Sequence, residues 1–584
     1  MEYKSENRIC QNCKNDFTIE PDDFLFYEKI KVPPPTFCPN CRRIRRWVWR
    51  NERTYYKRKC NVPNHSEEIV SLYSPEQPFF VYDQKYWWSD QWDPLDYGVD
   101  YDFSESFFKQ FSKLLKNIPL ITLSNTEAIN SEYCSSTAWN KDCYLISASG
   151  WNEKVLYSNR LAKNKDSMDL YIADNNELCY EDLYCNKCYQ TCYSNQCEGC
   201  SDSMFLHNCR NCSNCFGCTN LMGQDHCFFN KKLPKEEYKR KIAQLNLGSS
   251  KEIQKIKRKF YEEIYLNTIN KYSDQINCIN STGDHLRNTK NCHECYDFPG
   301  DNNEDCKFVD WGGFKSKDIY DTGPGVGWNT ELVYEGVDNN DDSNMIGCIV
   351  CYNSNNLFYC MNCHGSSNLF VCIGLRNKKY CILNKQYTKE EYDEIILKIK
   401  KQMEEIPYID RRGMIYKYGE FFPSELSPFA YNETVAQEYN PLTKEQALEQ
   451  GYKWKDKEER NYQIDIKNKD IPDNIKDITD DILGKIIECS HSADNQHPAN
   501  CGASCTEAFK IIPEELQFYQ RMNLPLPRLC PNCRHYERLS QRNPLKLWHR
   551  KCMKKGCQNE FETSYAPERP EIIYCEKCYQ QEVY

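Results

Sequence analysis

Short apolar clusters separated by polar turn residues recur through the middle of the chain at a nearly constant step. Asn356-Leu-Phe-Tyr-Cys360 returns twelve residues later as Asn368-Leu-Phe-Val-Cys372, and Cys348 and Cys351 precede Cys360 and Cys363 by the same step. Asp305-Cys-Lys-Phe-Val309, Lys317-Asp-Ile-Tyr320 and Glu331-Leu-Val-Tyr334 are looser echoes. Brief β segments broken by Asn, Asp, Gly and Ser at a fixed period predict a β-solenoid, in which each coil buries its apolar residues on the next. A coil of roughly twenty or more residues leaves room for an interior, so one step is expected to be half a coil.

The repeats fall into two related blocks. Cys227-Phe-Phe-Asn230-Lys231 with Lys235-Glu-Glu-Tyr238 reappears as Cys381-Ile-Leu-Asn384-Lys385 with Lys389-Glu-Glu-Tyr392, an offset of 154 that also carries Asn208 to Asn362, Phe216 to Phe370 and Cys218 to Cys372. The blocks span 131–230 and 273–384. Each ends in a charged, helical pattern: 231–272 after the first, and 385–408 after the second, where Tyr392, Ile395, Ile396 and Ile399 share one face. Phe103 to Leu115 predicts a short amphipathic helix within a 96–130 connector. Pro423, Pro428, Pro441 and Pro472 mark 409–488 as an extended connector. The expected fold class is therefore mainly β: a duplicated β-solenoid with short helices, flanked by modules at 1–95 and 489–584.

Those flanking modules are copies of each other. A shift of 492 carries Cys13 to Cys505, Cys38 to Cys530, Cys41 to Cys533, Phe17 to Phe509, Tyr27 to Tyr519, Cys60 to Cys552 and Tyr73 to Tyr565. In the first copy Cys10-x2-Cys13 and Cys38-x2-Cys41 supply four thiolates; two such turns converge on one ion in a tetrahedral shell, which suits zinc. The second copy offers Cys501, Cys505, Cys530 and Cys533, with Cys489, His491 or His497 as alternatives to Cys501. It also carries Cys552, Cys557, Cys575 and Cys578. The matching positions near the start are Cys60, His65, Asp83 and Tyr86, a degraded set in which Cys60, His65 and Asp83 form at most a residual site. Zn2+ at three structural sites is the expectation.

Composition sharpens this. The chain has 584 residues, 37 cysteines and a net charge of −10. A charged, polar start without an apolar core, and no long apolar run, predict a cytoplasmic protein outside the membrane. An odd count of cysteines in a large unsignalled chain favours metal coordination over disulfides. Within the repeats, cysteines at the coil step read as stacked small side chains, with Cys209, Cys212, Cys215 and Cys218, or Cys348, Cys351, Cys360 and Cys363, as the metal-site alternative.

Cys10-x2-Cys13-x3-Phe17, Pro34-Pro35-x2-Cys38-Pro39-x-Cys41-Arg42, Arg50-Asn-Glu52, Tyr86-Trp-Trp-Ser-Asp90, the 378–385 run and Leu526-Pro-Arg-x-Cys530-Pro-Asn-Cys533-Arg534 together resemble an uncharacterised zinc-ribbon, cysteine-rich repeat family of very small (candidate phyla) bacteria. The resemblance implies paired ribbons around a repeat region and no established activity. It also implies cysteines where this chain has Asp83 and Tyr86. Some relatives carry a CaiB/BaiF-like CoA-transferase label, which no motif here supports.

Three functions compete. Arg42, Arg43, Arg45, Arg46, Trp47, Trp49 and Arg50, with Arg534, Arg538 and Arg542 in the second copy, combine phosphate-neutralising charge with aromatics that stack on bases, and predict DNA or RNA binding. The acidic net charge and a long solenoid surface favour a protein-interaction scaffold instead. A polysaccharide-active enzyme is the weakest reading: Asp310, Asp318, Asp321 and Asp338 supply carboxylates, but nothing sets a working pair.

Overall fold

Through both repeat blocks the backbone turns a corner at every third residue. In the computed structural model, which describes residues 3–65, 67–457, 462–498 and 501–583, positions 172, 175, 178, 181, 184, 187, 190, 193 and 196 all have φ between 48° and 57°. L-residues enter this left-handed region at a cost that Asn and Asp bear most easily, and Asn208, Asn211, Asn214 and Asn220 occupy such corners. Neighbouring rungs pair in parallel twelve residues apart: Ser147 with Asn159, Asn159 with Tyr171, Tyr189 with Ser201. Twelve residues are therefore one whole coil. The half-coil expectation assumed a roomy interior, whereas a corner every third residue makes each side of the coil too short to enclose one.

The residue after each corner points inward. Successive layers contain Cys179, Asp182, Cys185 and Cys188, then Thr191, Ser194, Cys197 and Cys200, then Ser203, Leu206, Cys209 and Cys212, all buried. Four inward side chains to a layer leave room for few large ones such as Leu206, which explains the abundance of cysteine. The thiols of Cys185, Cys197 and Cys209 stack one above another and donate to the carbonyls of Leu183, Asn195 and His207 at 3.4–3.5 Å. Burial pushes the Cys179 thiol well above the ordinary range, and that of Cys134 up to about 12. Polar interior residues are satisfied by the next coil. The amide of Asn164 donates to Asn152 Oδ1 (2.9 Å), that of Asn176 to Asn164 Oδ1 (3.0 Å), and that of Cys188 to Asn176 Oδ1 (2.8 Å).

The second stack is less regular. Steps of eleven (Gln275 with Leu286) and fourteen (His293 with Lys307, Lys317 with Glu331) precede a return to twelve from Glu331 onward. Glycine absorbs the distortion where backbones crowd: at Gly312, φ 105°, a Cβ would lie 2.1 Å from the Val326 carbonyl oxygen. The two stacks lie side by side and antiparallel. Trp151 meets Trp328 near the start of the first stack, while farther along it Tyr184 stacks on His285, earlier in the second, at 3.8 Å.

Hairpins and helices close the open edges, which would otherwise template association. Rungs Cys227–Phe228 and Lys379–Ile382 fold back as antiparallel pairs. Helices Lys235–Ala243 and Ser250–Lys259 follow the first stack. Helix Lys389–Glu405, begun by a Thr388/Glu391 capping box, follows the second and buries Tyr392, Ile396 and Ile399. Helix Phe107–Asn117 buries Phe107, Phe108 and Phe111. The segment read from its prolines as an extended connector instead drives Phe421, Phe422, Tyr431 and Val435 into the largest core, alongside Trp47 and Trp49; its aromatic residues outweigh its prolines.

Because its layer already holds Leu206, Cys209→Leu is expected to overpack the coil. The loss is about 1–3 kcal/mol, read as a lower denaturant midpoint.

Candidate metal centres

Each end module opens with a two-stranded hairpin and a helix that starts at a cysteine. Near the N-terminus, strands Glu6–Ile9 and Asp16–Ile19 pair antiparallel and place Cys10 at the strand end. Cys38 then caps helix Pro39–Trp47, with Pro39 at its first position. The ligand atoms of Cys10, Cys13, Cys38 and Cys41 all lie within 4.8 Å of one another. The Cys38 amide donates to Cys10 Sγ at 3.2 Å and Asn12 Nδ2 to Cys41 Sγ at 3.3 Å, bonds that favour thiolate over thiol.

Near the C-terminus the same hairpin, Ile487–Glu488 with Ala508–Phe509, leads to helix Pro531–Ser540, capped by Cys530. Here the structure departs from the sequence expectation. The tetrad is Cys489, Cys505, Cys530 and Cys533, and Cys501 is not one of the four. Cys489 sits at the end of its strand as Cys10 does, and accepts the Cys530 amide at 3.3 Å just as Cys10 accepts that of Cys38. The shift of 492 carries Cys10 to Gly502, one residue past Cys501, because the hairpin loop has grown between the two positions: Cys10-x2-Cys13 becomes Cys489-x15-Cys505. Within this loop, His491, His497 and Cys501 converge with Cys533 as a second group at ligand spacing.

A further tetrad gathers Cys552, Cys557, Cys575 and Cys578. The Cys575 amide donates to Cys552 Sγ at 3.4 Å, and Asn559 Nδ2 to Cys575 Sγ at 3.4 Å. In the first copy Cys60, His65 and Asp83 come together. The Asp83 amide donates to Cys60 Sγ at 3.3 Å, the same bond in the same place. Tyr86, where the fourth thiolate would stand, turns its hydroxyl to the Gln91 carbonyl instead. Donor type, spacing and amide-to-sulfur bonds thus suit metal at the tetrads, and leave the fourth place of the Cys60 group without a protein donor of that kind.

The residues expected to meet nucleic acid are elsewhere than expected. Arg42, Arg43, Arg45, Arg46, Trp47, Trp49, Arg50, Arg534, Arg538 and Arg542 are all buried. Arg42 reaches Asp321 at 2.8 Å, and Arg46 reaches Asp321 at 3.4 Å and Glu335 at 3.0 Å. Arg43 pairs with Asp310, Arg45 with Glu335 and Glu420, and Arg50 with Glu52 and Asp338. In the second copy Arg534 and Arg538 clasp Asp169 at 3.0 and 2.8 Å, while Arg542 reaches Asp297 at 3.4 Å. Arginine-rich helices that read as a phosphate-binding face are thus spent on carboxylates of the stacks. The geometry is exchanged: the N-terminal module docks on the second stack and the C-terminal module grips Asp169 of the first.

This also accounts for the carboxylates considered for catalysis. Asp310, Asp321 and Asp338 pair with those arginines, and Asp318 with Lys29. A signal was available in the sequence, since the 492 shift carries Arg42, Arg46 and Arg50 onto Arg534, Arg538 and Arg542. No protein-family model matches the chain, and no curated protein matches it.

Removing one buried carboxylate strands its partners. Asp169→Ala, which takes from Arg538 its carboxylate and leaves Arg534 only Glu515 at 3.4 Å, is expected to destabilise the fold by about 3–5 kcal/mol, measured by urea unfolding.

Proposed function

We propose that the protein is a zinc-stabilised, non-catalytic scaffold: two antiparallel β-solenoids clamped by metal-folded ribbons, presenting their outer faces to protein partners in a reducing compartment. One observation carries this reading. Each tetrad of Cys10, Cys13, Cys38 and Cys41 or of Cys489, Cys505, Cys530 and Cys533 lies at the start of the helix whose arginines reach into the opposite solenoid. Zinc is the ion of choice because sulfur-rich, four-donor tetrahedral sites select it and bind it closed, without an open catalytic position. Binding there becomes folding energy for a small module.

The buried arginines support scaffold over nucleic-acid binder, since a guanidinium paired inside the fold has no phosphate to meet. Among the described residues no helix is long and apolar enough to cross a membrane.

If the metal holds the clamp, stripping it with a strong chelator should lower the thermal midpoint and shift the emission of the buried Trp47 and Trp49 toward that of hydrated indole. Re-adding zinc should restore both. An unchanged midpoint in demonstrably metal-free protein would overturn the scaffold reading.

A further inference from the structure

The enlarged hairpin loop of the C-terminal ribbon does more than lengthen a turn. Between Cys489 and Cys505 it carries three side chains that bind metals, His491, His497 and Cys501, and the N-terminal copy has no counterpart to any of them. All three turn to the same side of the tetrad. Cys501 Sγ lies 3.4 Å from Cys533 Sγ, and the Nδ1 atoms of His491 and His497 lie 3.2 and 3.1 Å from Cys501 Sγ. Cys533 Sγ therefore belongs to two groups at once, with Cys489, Cys505 and Cys530 on one side and His491, His497 and Cys501 on the other.

We propose that the C-terminal ribbon holds two metal ions that share the Cys533 thiolate. One ion takes four sulfurs from Cys489, Cys505, Cys530 and Cys533. The second takes two imidazole nitrogens from His491 and His497 and two sulfurs from Cys501 and Cys533, a donor set that suits zinc as well as the first. A thiolate sulfur has lone pairs enough to bridge two ions. The inference rests on the zinc reading above for the kind of ion, but not on the scaffold role.

Charge supports the second ion. A single divalent ion in the first site, with its four thiolates, leaves two negative charges next to the thiolate of Cys501. A second ion, bound by neutral imidazoles, reduces that excess where water is scarce; an uncompensated buried charge is costly. The shell beyond the ligands is also in place. With His491 using Nδ1, its Nε2 lies 3.5 Å from a Glu537 carboxylate oxygen, the arrangement by which a carboxylate orients a metal-bound imidazole. Glu537 stands on the helix that Cys530 and Cys533 begin, so ligand and orienting group are fixed by one element.

Metal counting on the full chain tests this. In the zinc-loaded protein, His491→Ala/His497→Ala is expected to bind one equivalent fewer per chain than wild type while keeping the wild-type far-ultraviolet spectrum. An unchanged count would overturn the second site and leave the zinc reading standing; a wild-type chain with no zinc at all would overturn both. The wild-type chain loaded with spin-active cadmium gives a readout that needs no variant, and it decides the matter if the double variant misfolds. A pair of mutually coupled cadmium resonances, one moved upfield by imidazole ligands, is expected from a shared thiolate. Only uncoupled resonances would overturn the bridge.

Discussion

Two buried aspartates connect everything else in this molecule. Asp169 in the first stack and Asp321 in the second each face two guanidinium groups from a ribbon helix. A carboxylate without water is tolerable only when paired, and each pair can form only if the helix starts at the right place. The knuckle fixes that start: Cys38 caps the first helix and Cys530 the second, so Arg42 and Arg534 stand one residue beyond the last ligand of their tetrads. A cysteine cluster thereby positions a guanidinium, and the guanidinium positions a whole stack of coils.

The exchanged docking makes the two halves interdependent. Neither ribbon grips only the block nearest to it in sequence, so the charge pairs close over long chain separations. Tyr439 packs where the halves meet, against Trp47 and Trp311, with the Arg542 guanidinium over its ring. Glu52 joins Arg50 of the N-terminal module to Arg160 of the first stack. The segment 409–457 fills the remaining space with aromatic side chains, which is why its prolines do not make it a free linker.

The same spacing, Cys-x2-Cys, arises here from two unrelated causes. At a ribbon knuckle it brings two sulfurs to ligand spacing. In the stacks it is the three-residue interval between inward positions of a four-cornered coil, and the sulfurs face carbonyls two residues back. Cys185 and Cys188 therefore look like ligands in a motif and behave as small apolar fillers. The left-handed corner that separates them costs backbone energy, and the regular parallel ladder and satisfied interior offset it.

By itself the sequence determined the parts that depend on neighbours along the chain. The twelve-residue step, the duplication of the ends, the ligand-rich tetrads and the capping helices could all be read, because periodicity and short spacings report local geometry directly. It did not reveal the period of three, since the corner residues vary freely among Tyr, Lys, Gln, Glu and Asn while only backbone φ is constant. Nor did it identify Cys489 as the ligand in place of Cys501, because a grown loop breaks register without moving the strand ends that set the site. The fate of the arginines was likewise a tertiary decision. A basic helix is a phosphate-binding face or an internal clasp according to what covers it, and the covering carboxylates, Asp169, Asp310, Asp321 and Glu335, lie more than a hundred residues away.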